Sequence, residues 1–76
     1  MGANARQILQ NFLEGLKDQG ITTITDEDLE LRIATGIGAD PRTIKKYWDL
    51  MEKLGIIQRT KDGRIKINYK AAKLKV

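Results

Sequence analysis

The sequence predicts a small α+β domain: three helices, a short first strand after helix 1, and a C-terminal β-hairpin. Three observations predict it. Residues 40–54 repeat apolar side chains at helical spacing between a marked start and a marked stop. Residues 56–69 change to an alternating pattern around an Asp-Gly pair. The chain has 76 residues and no cysteine, which suits one domain over 1–76, with a core small enough to gain from dimerisation.

Helix 1 is expected over 4–19. Ile8, Leu9, Phe12, Leu13 and Leu16 form a broad apolar stripe, wide enough for a core face and a homodimer contact together. Gly15 inside it costs about 1 kcal/mol relative to alanine, and Gly20 ends it. Ile21-Thr22-Thr23-Ile24 is a β-prone run and reads as one brief strand. Thr25 then caps helix 2, expected over 26–35. Asp26, Glu27, Asp28 and Glu30 load its first turns with negative charge, which complements the positive end of the helix dipole. Four carboxylates in five residues could hold magnesium. Without a phosphate-binding loop or another chelating group, capping and solvation account for them better. Leu29, Ile33 and Ile37 continue the buried face, and Leu31 and Ala34 also read as inward. Gly36-Ile37-Gly38-Ala39 turns the chain toward the third helix.

That helix, over 40–54, organises the rest. Asp40 offers an N-cap oxygen, Pro41 fits the first helical position, and Gly55 marks the stop. Ile44, Trp48, Met51 and Leu54 define an inward face. Arg42, Thr43, Lys45, Lys46 and Tyr47 fall on the outward side of its first two turns. A helix pinned by one face, with a basic and hydrogen-bonding N-terminal half, has the features of a nucleic-acid reader.

Ile56–Thr60 and Arg64–Tyr69 then read as two strands joined by a type I′ turn with Asp62 and Gly63 as its two loop residues. In that register Thr60 faces Ile65, Arg59 faces Lys66, Gln58 faces Ile67 and Ile56 faces Tyr69. Arg59, Lys61, Arg64 and Lys66 gather on one face. Like charges placed opposite each other disfavour folding and suit phosphate contact. The same register sets Ile57 on the basic face, opposite Asn68. Residues 70–76 read as a short basic tail.

Charge distribution agrees. The net charge is +4, but residues 56–76 carry seven cations against Asp62, while residues 20–39 carry four carboxylates against Arg32. Such asymmetry suggests a polyanionic partner, although a lysine-rich solvated surface would look the same. The chain has no histidine and no cysteine. It thus lacks the commonest general base, the commonest zinc ligand and any disulfide framework, and no catalytic constellation can be assembled. It is expected not to be an enzyme and to use no cofactor or metal. No apolar run reaches membrane-spanning length and no signal-peptide pattern is visible, so a soluble, cytoplasmic protein without a small-molecule ligand is expected.

The order helix, strand, helix, helix, hairpin, with Thr43-Ile44-Lys45-Lys46-Tyr47-Trp48 running into Met51-Glu52-Lys53-Leu54-Gly55-Ile56-Ile57, resembles the winged-helix (winged helix-turn-helix) DNA-binding domains of small bacterial and archaeal transcription regulators, archaeal-virus regulators among them. The resemblance spans about Ile8 to Tyr69. It implies that helix 3 lies in the major groove and that the hairpin wing touches the DNA backbone or minor groove. Arg42, Thr43, Lys45, Lys46 and Tyr47 match the groove-facing positions, and Arg59, Lys61, Arg64 and Lys66 match the wing. The position usually held by alanine in the first motif helix is Arg32 here. Arg42 or Lys46 is suited to a guanine edge, and Thr43 to a phosphate or thymine methyl. Tyr47 suits either a phosphate contact or a half-buried place beside Trp48.

The expected function is therefore sequence-specific binding of double-stranded DNA by a transcriptional regulator, dimeric through helix 1. Two other functions fit the same residues: a winged-helix module that binds proteins in a transcription, replication or segregation complex, and a nonspecific nucleic-acid-binding protein.

Overall fold

A computed structural model describes residues 4–72. Three helices, α1 (Ala5–Asp18), α2 (Asp26–Gly36) and α3 (Pro41–Lys53), accompany three strands, β1 (Thr23–Ile24), β2 (Ile57–Arg59) and β3 (Ile65–Ile67). The strands form one antiparallel sheet in the order β1-β3-β2. The fold is α+β, with a three-stranded sheet in which β1 joins the hairpin. The first three residues and residues 73–76 of the expected basic tail lie outside the described residues.

Local chemistry sets the helix ends. The Asn4 side chain accepts from the Gln7 N–H at 2.9 Å, Thr25 Oγ1 from the Asp28 N–H at 3.2 Å, and Asp40 Oδ1 from the Arg42 N–H at 2.8 Å. Each cap satisfies a donor that has no partner within the helix. At the far end of α3, Gly55 adopts φ +73°. This left-handed conformation lets its N–H reach the Glu52 carbonyl at 3.1 Å and the Ile56 N–H reach the Met51 carbonyl at 2.9 Å, a Schellman closure that aims the chain into β2. The buried Met51 and Ile56 occupy the two positions that such a closure brings into apolar contact.

Leu9, Leu13 and Leu16 of α1, Leu29 and Ile33 of α2, Tyr47 and Met51 of α3, and Ile24, Ile56, Ile57, Ile65 and Ile67 make the core. Ile8, Phe12, Ile37, Ile44 and Trp48 are half-buried around it. Three expectations are corrected. Leu31 is 60 % exposed and Leu54 52 % exposed, whereas Tyr47 is only 4 % exposed. The inward stripe of α3 runs through Ile44, Tyr47 and Met51, spaced i, i+3, i+7. Leu54 follows the helix as its C-cap, still in the αR conformation, one residue before Gly55 turns the backbone. Gly15 has open space where a Cβ would stand, so an alanine would fit there.

The hairpin register is also corrected. Ile57 pairs with Ile67, Gln58 with Lys66 and Arg59 with Ile65. The loop holds three residues, Lys61-Asp62-Gly63, with the Gly63 N–H on the Thr60 carbonyl at 3.1 Å and the Thr60 N–H on the Arg64 carbonyl at 2.8 Å. Gly63 has φ +82°, which makes this a turn closed by a left-handed glycine rather than a two-residue type I′ turn. An Asp-Gly pair serves either loop. The one-residue difference moves Ile57 to the buried face and separates Arg59 from Lys66. The expected rows of opposed cations therefore do not form.

Candidate nucleic-acid interface

The exposed side of α3 carries Arg42, Lys45 and Lys46 in its first half, and Asp49, Glu52 and Lys53 beyond them. Because Ile44, Tyr47 and Met51 anchor the opposite side, the three leading cations are held outward by the same periodicity that buries the core. Thr43 is half-buried against the preceding turn: a Cβ at Gly38 would come within 3.3 Å of its methyl group. Tyr47, expected on the outward side, is in the core instead. The Lys46 ammonium lies 5.7 Å from the centre of its ring, within cation–π range.

On the hairpin, Lys61 and Arg64 are exposed at the turn, and Lys66 shares the outer face of the sheet with Gln58. The turn is braced from within. The Thr60 hydroxyl accepts from the Arg64 N–H at 3.2 Å and donates to the Asp62 carboxylate. That bond from Thr60, reinforced by backbone N–H donors, holds the Asp62 carboxyl below the usual carboxylate range. Tyr69 donates its hydroxyl to the Ile21 carbonyl, tying the chain after β3 to the approach to β1, and burial pushes that hydroxyl above its ordinary pKa.

Arg59 does something else. Its guanidinium makes a two-pronged contact with Asp26, at 2.9 Å and 3.0 Å. The hydrogen bond from Arg59 lowers the Asp26 pKa, and the same bond raises that of Arg59, with Glu52 adding a smaller effect. Arg32 likewise contacts Asp28 through Nε at 3.2 Å and the Gln19 side chain at 2.7 Å, joining α2 to the end of α1. The acidic start of α2 thus has two of its carboxylates in ion pairs. Among the described residues Arg42, Lys45, Lys46, Lys61, Arg64 and Lys66 have no ion-pair partner.

The structure therefore separates the nine expected contact residues. Arg42, Lys45 and Lys46 share one exposed helix side. Lys61 and Arg64 share the hairpin turn, and Lys66 stands on the outer sheet face. Thr43 is half-buried, Tyr47 is internal, and Arg59 is engaged by Asp26. Lys53, in the last turn of α3, also lies on its exposed side and is not among the contact residues expected on that helix, which lie in the first two turns. The Asp26–Arg59 pair had no signal in sequence, since its members are 33 residues apart.

Among the described residues no group of three or more histidine, cysteine, aspartate or glutamate side chains is placed to hold a metal ion. None of the described helices is long and apolar enough to cross a membrane. Comparison with protein-family models, with curated proteins and with solved structures finds no significant match.

Proposed function

We propose that this chain is a winged helix-turn-helix domain that binds double-stranded DNA sequence-specifically and regulates transcription, with α3 in the major groove and the hairpin turn on the phosphate backbone. The element order and the β1-β3-β2 sheet are compatible with that fold. The observation that carries the reading is the exposed set Arg42, Lys45 and Lys46 on a helix whose other side is fixed in the core. Cations without an ion-pair partner among the described residues are available to phosphates and base edges, and a firmly seated helix presents them in one register.

In this reading Lys61, Arg64 and Lys66 neutralise phosphates and supply affinity without sequence information. Arg42 or Lys46 reads a guanine edge, and Thr43 meets a phosphate or a thymine methyl near the start of α3. The protein acts in the cytoplasm, without cofactor, metal or catalytic chemistry. A dimer through α1 would use Ile8 and Phe12, because Leu9, Leu13 and Leu16 already serve the protein's own core.

A gel-shift titration tests the proposal, using the DNA upstream of the protein's own coding sequence against random DNA of equal length, at two salt concentrations. A preference of at least ~10³-fold that survives competitor supports a specific regulator. Equal, steeply salt-dependent shifts favour nonspecific binding. No shift at low salt overturns the DNA reading. One feature favours a protein partner in that event: Leu31, 60 % exposed, sits on α2 beside the exposed Glu27 and Glu30.

A further inference from the structure

Arg59 ends β2, an edge strand, and stands in one cross-strand row with Ile65 and Ile24. Two residues beyond Ile24, Asp26 opens α2. The ion pair therefore runs from the free edge of the sheet to the first residue of the helix that precedes α3. It closes a ring through β1, β3 and β2, and ties the hairpin to the helix pair by a contact other than strand pairing. Arg59 also donates to the Gly63 carbonyl at 3.4 Å, so the same guanidinium touches the hairpin loop that carries Lys61. Both partners are about half exposed, 54 % for Arg59 and 51 % for Asp26, and neither is needed to fill the core.

We propose that Asp26 and Arg59 are positioning residues of the DNA-binding surface, their two-pronged pair fixing where the hairpin loop stands relative to α3. This rests on the DNA reading above. It assigns a carboxylate a favourable part in binding a polyanion, the opposite sign from its own charge. A guanidinium can do this because its two parallel N–H donors fix direction as well as distance; a lysine ammonium keeps the charge and loses the direction. With Arg59 engaged by Asp26, phosphate contact on the hairpin falls to Lys61, Arg64 and Lys66.

The test is an equilibrium titration of the full chain against a mixed-sequence duplex of about 20 base pairs, at several salt concentrations, with circular dichroism confirming that each variant is folded at the assay temperature. Asp26→Asn is expected to weaken binding about three- to tenfold, although it removes a negative charge. Arg59→Lys is expected to weaken it similarly, with an unchanged salt slope. The amide resonances of Lys61, Asp62 and Gly63 should shift in both variants. Equal or tighter binding by Asp26→Asn overturns the proposal, because simple charge repulsion then accounts for Asp26. Wild-type affinity in Arg59→Lys, with a slope lower by about 0.9 in Arg59→Ala, makes Arg59 a phosphate contact and overturns it too. If the unsubstituted protein does not bind at low salt, the DNA reading itself fails and the positioning role falls with it.

Discussion

Ile57 stands directly opposite Ile67, and both side chains are buried. That pairing decides which face of the hairpin meets the core and which cations share its outer surface. Ile57→Ala should destabilise the fold by about 2–4 kcal/mol, through lost burial and the cavity left behind. Gln58→Ala, on the exposed face, should stay within about 0.5 kcal/mol of the parent. Urea unfolding of both variants reads the register directly: the alternative pairing, with Gln58 inward and Ile57 outward, predicts the reverse order.

Tyr47 and Leu54 make a second contrasting pair. Tyr47→Ala should cost about 3–5 kcal/mol, the range for a buried aromatic ring. Leu54→Ala should cost well under about 1 kcal/mol, because Leu54 remains largely in solvent at the helix C-cap. Thermal melts measure both. Comparable losses would mean that α3 is rotated toward Leu54.

On the proposed DNA reading, base contact and phosphate contact separate by salt. Arg42→Ala should lose roughly 1–3 kcal/mol on the preferred site and relax specificity at one base pair. Lys61→Ala should weaken every sequence alike and lower the salt slope by about 1. Binding measured on the preferred duplex and on single-base variants, across a salt series, distinguishes them. A uniform loss for Arg42→Ala would remove that residue from base recognition.

The Asp26 carboxyl titrates below its ordinary value in the folded protein because Arg59 hydrogen-bonds its charged form. Its contribution to stability is thus fully present above the unfolded value of about 3.9 and is lost as pH falls through the lower folded value. The difference in melting temperature between the parent and Asp26→Asn should be constant near neutrality and shrink below about pH 4. A difference that persists unchanged well below that pH would show that the aspartate acts through something other than its ionised pair with Arg59.

Much of the fold was legible because its signals are local. Thr25 and Asp40 each cap a backbone N–H two or three residues away, and Gly55 turns the chain over the next residue. Such bonds depend on neighbours in sequence, so α1, α2 and α3 fall within a residue or two of where the pattern sets them. The exposed cations of α3 were legible for a related reason, since an anchored apolar stripe leaves its opposite side outward. The exact phase was less so. Trp48 and Leu54 are as apolar as Tyr47 and Met51, and only packing against α1, α2 and the sheet separates them.

By itself, then, the sequence determined the helix boundaries, the existence of a hairpin at Asp62-Gly63, and the basic character of α3 and the chain that follows. The tertiary structure alone decided the hairpin register, the burial of Tyr47 and the capture of Arg59 by Asp26. An Asp-Gly loop admits two lengths of nearly equal local cost, and burying Ile57 beside Ile67 selects one of them. The ion pair joins residues 33 positions apart. It exists only because β1 and β2 flank β3 in one sheet, which brings the edge of the hairpin to the start of α2.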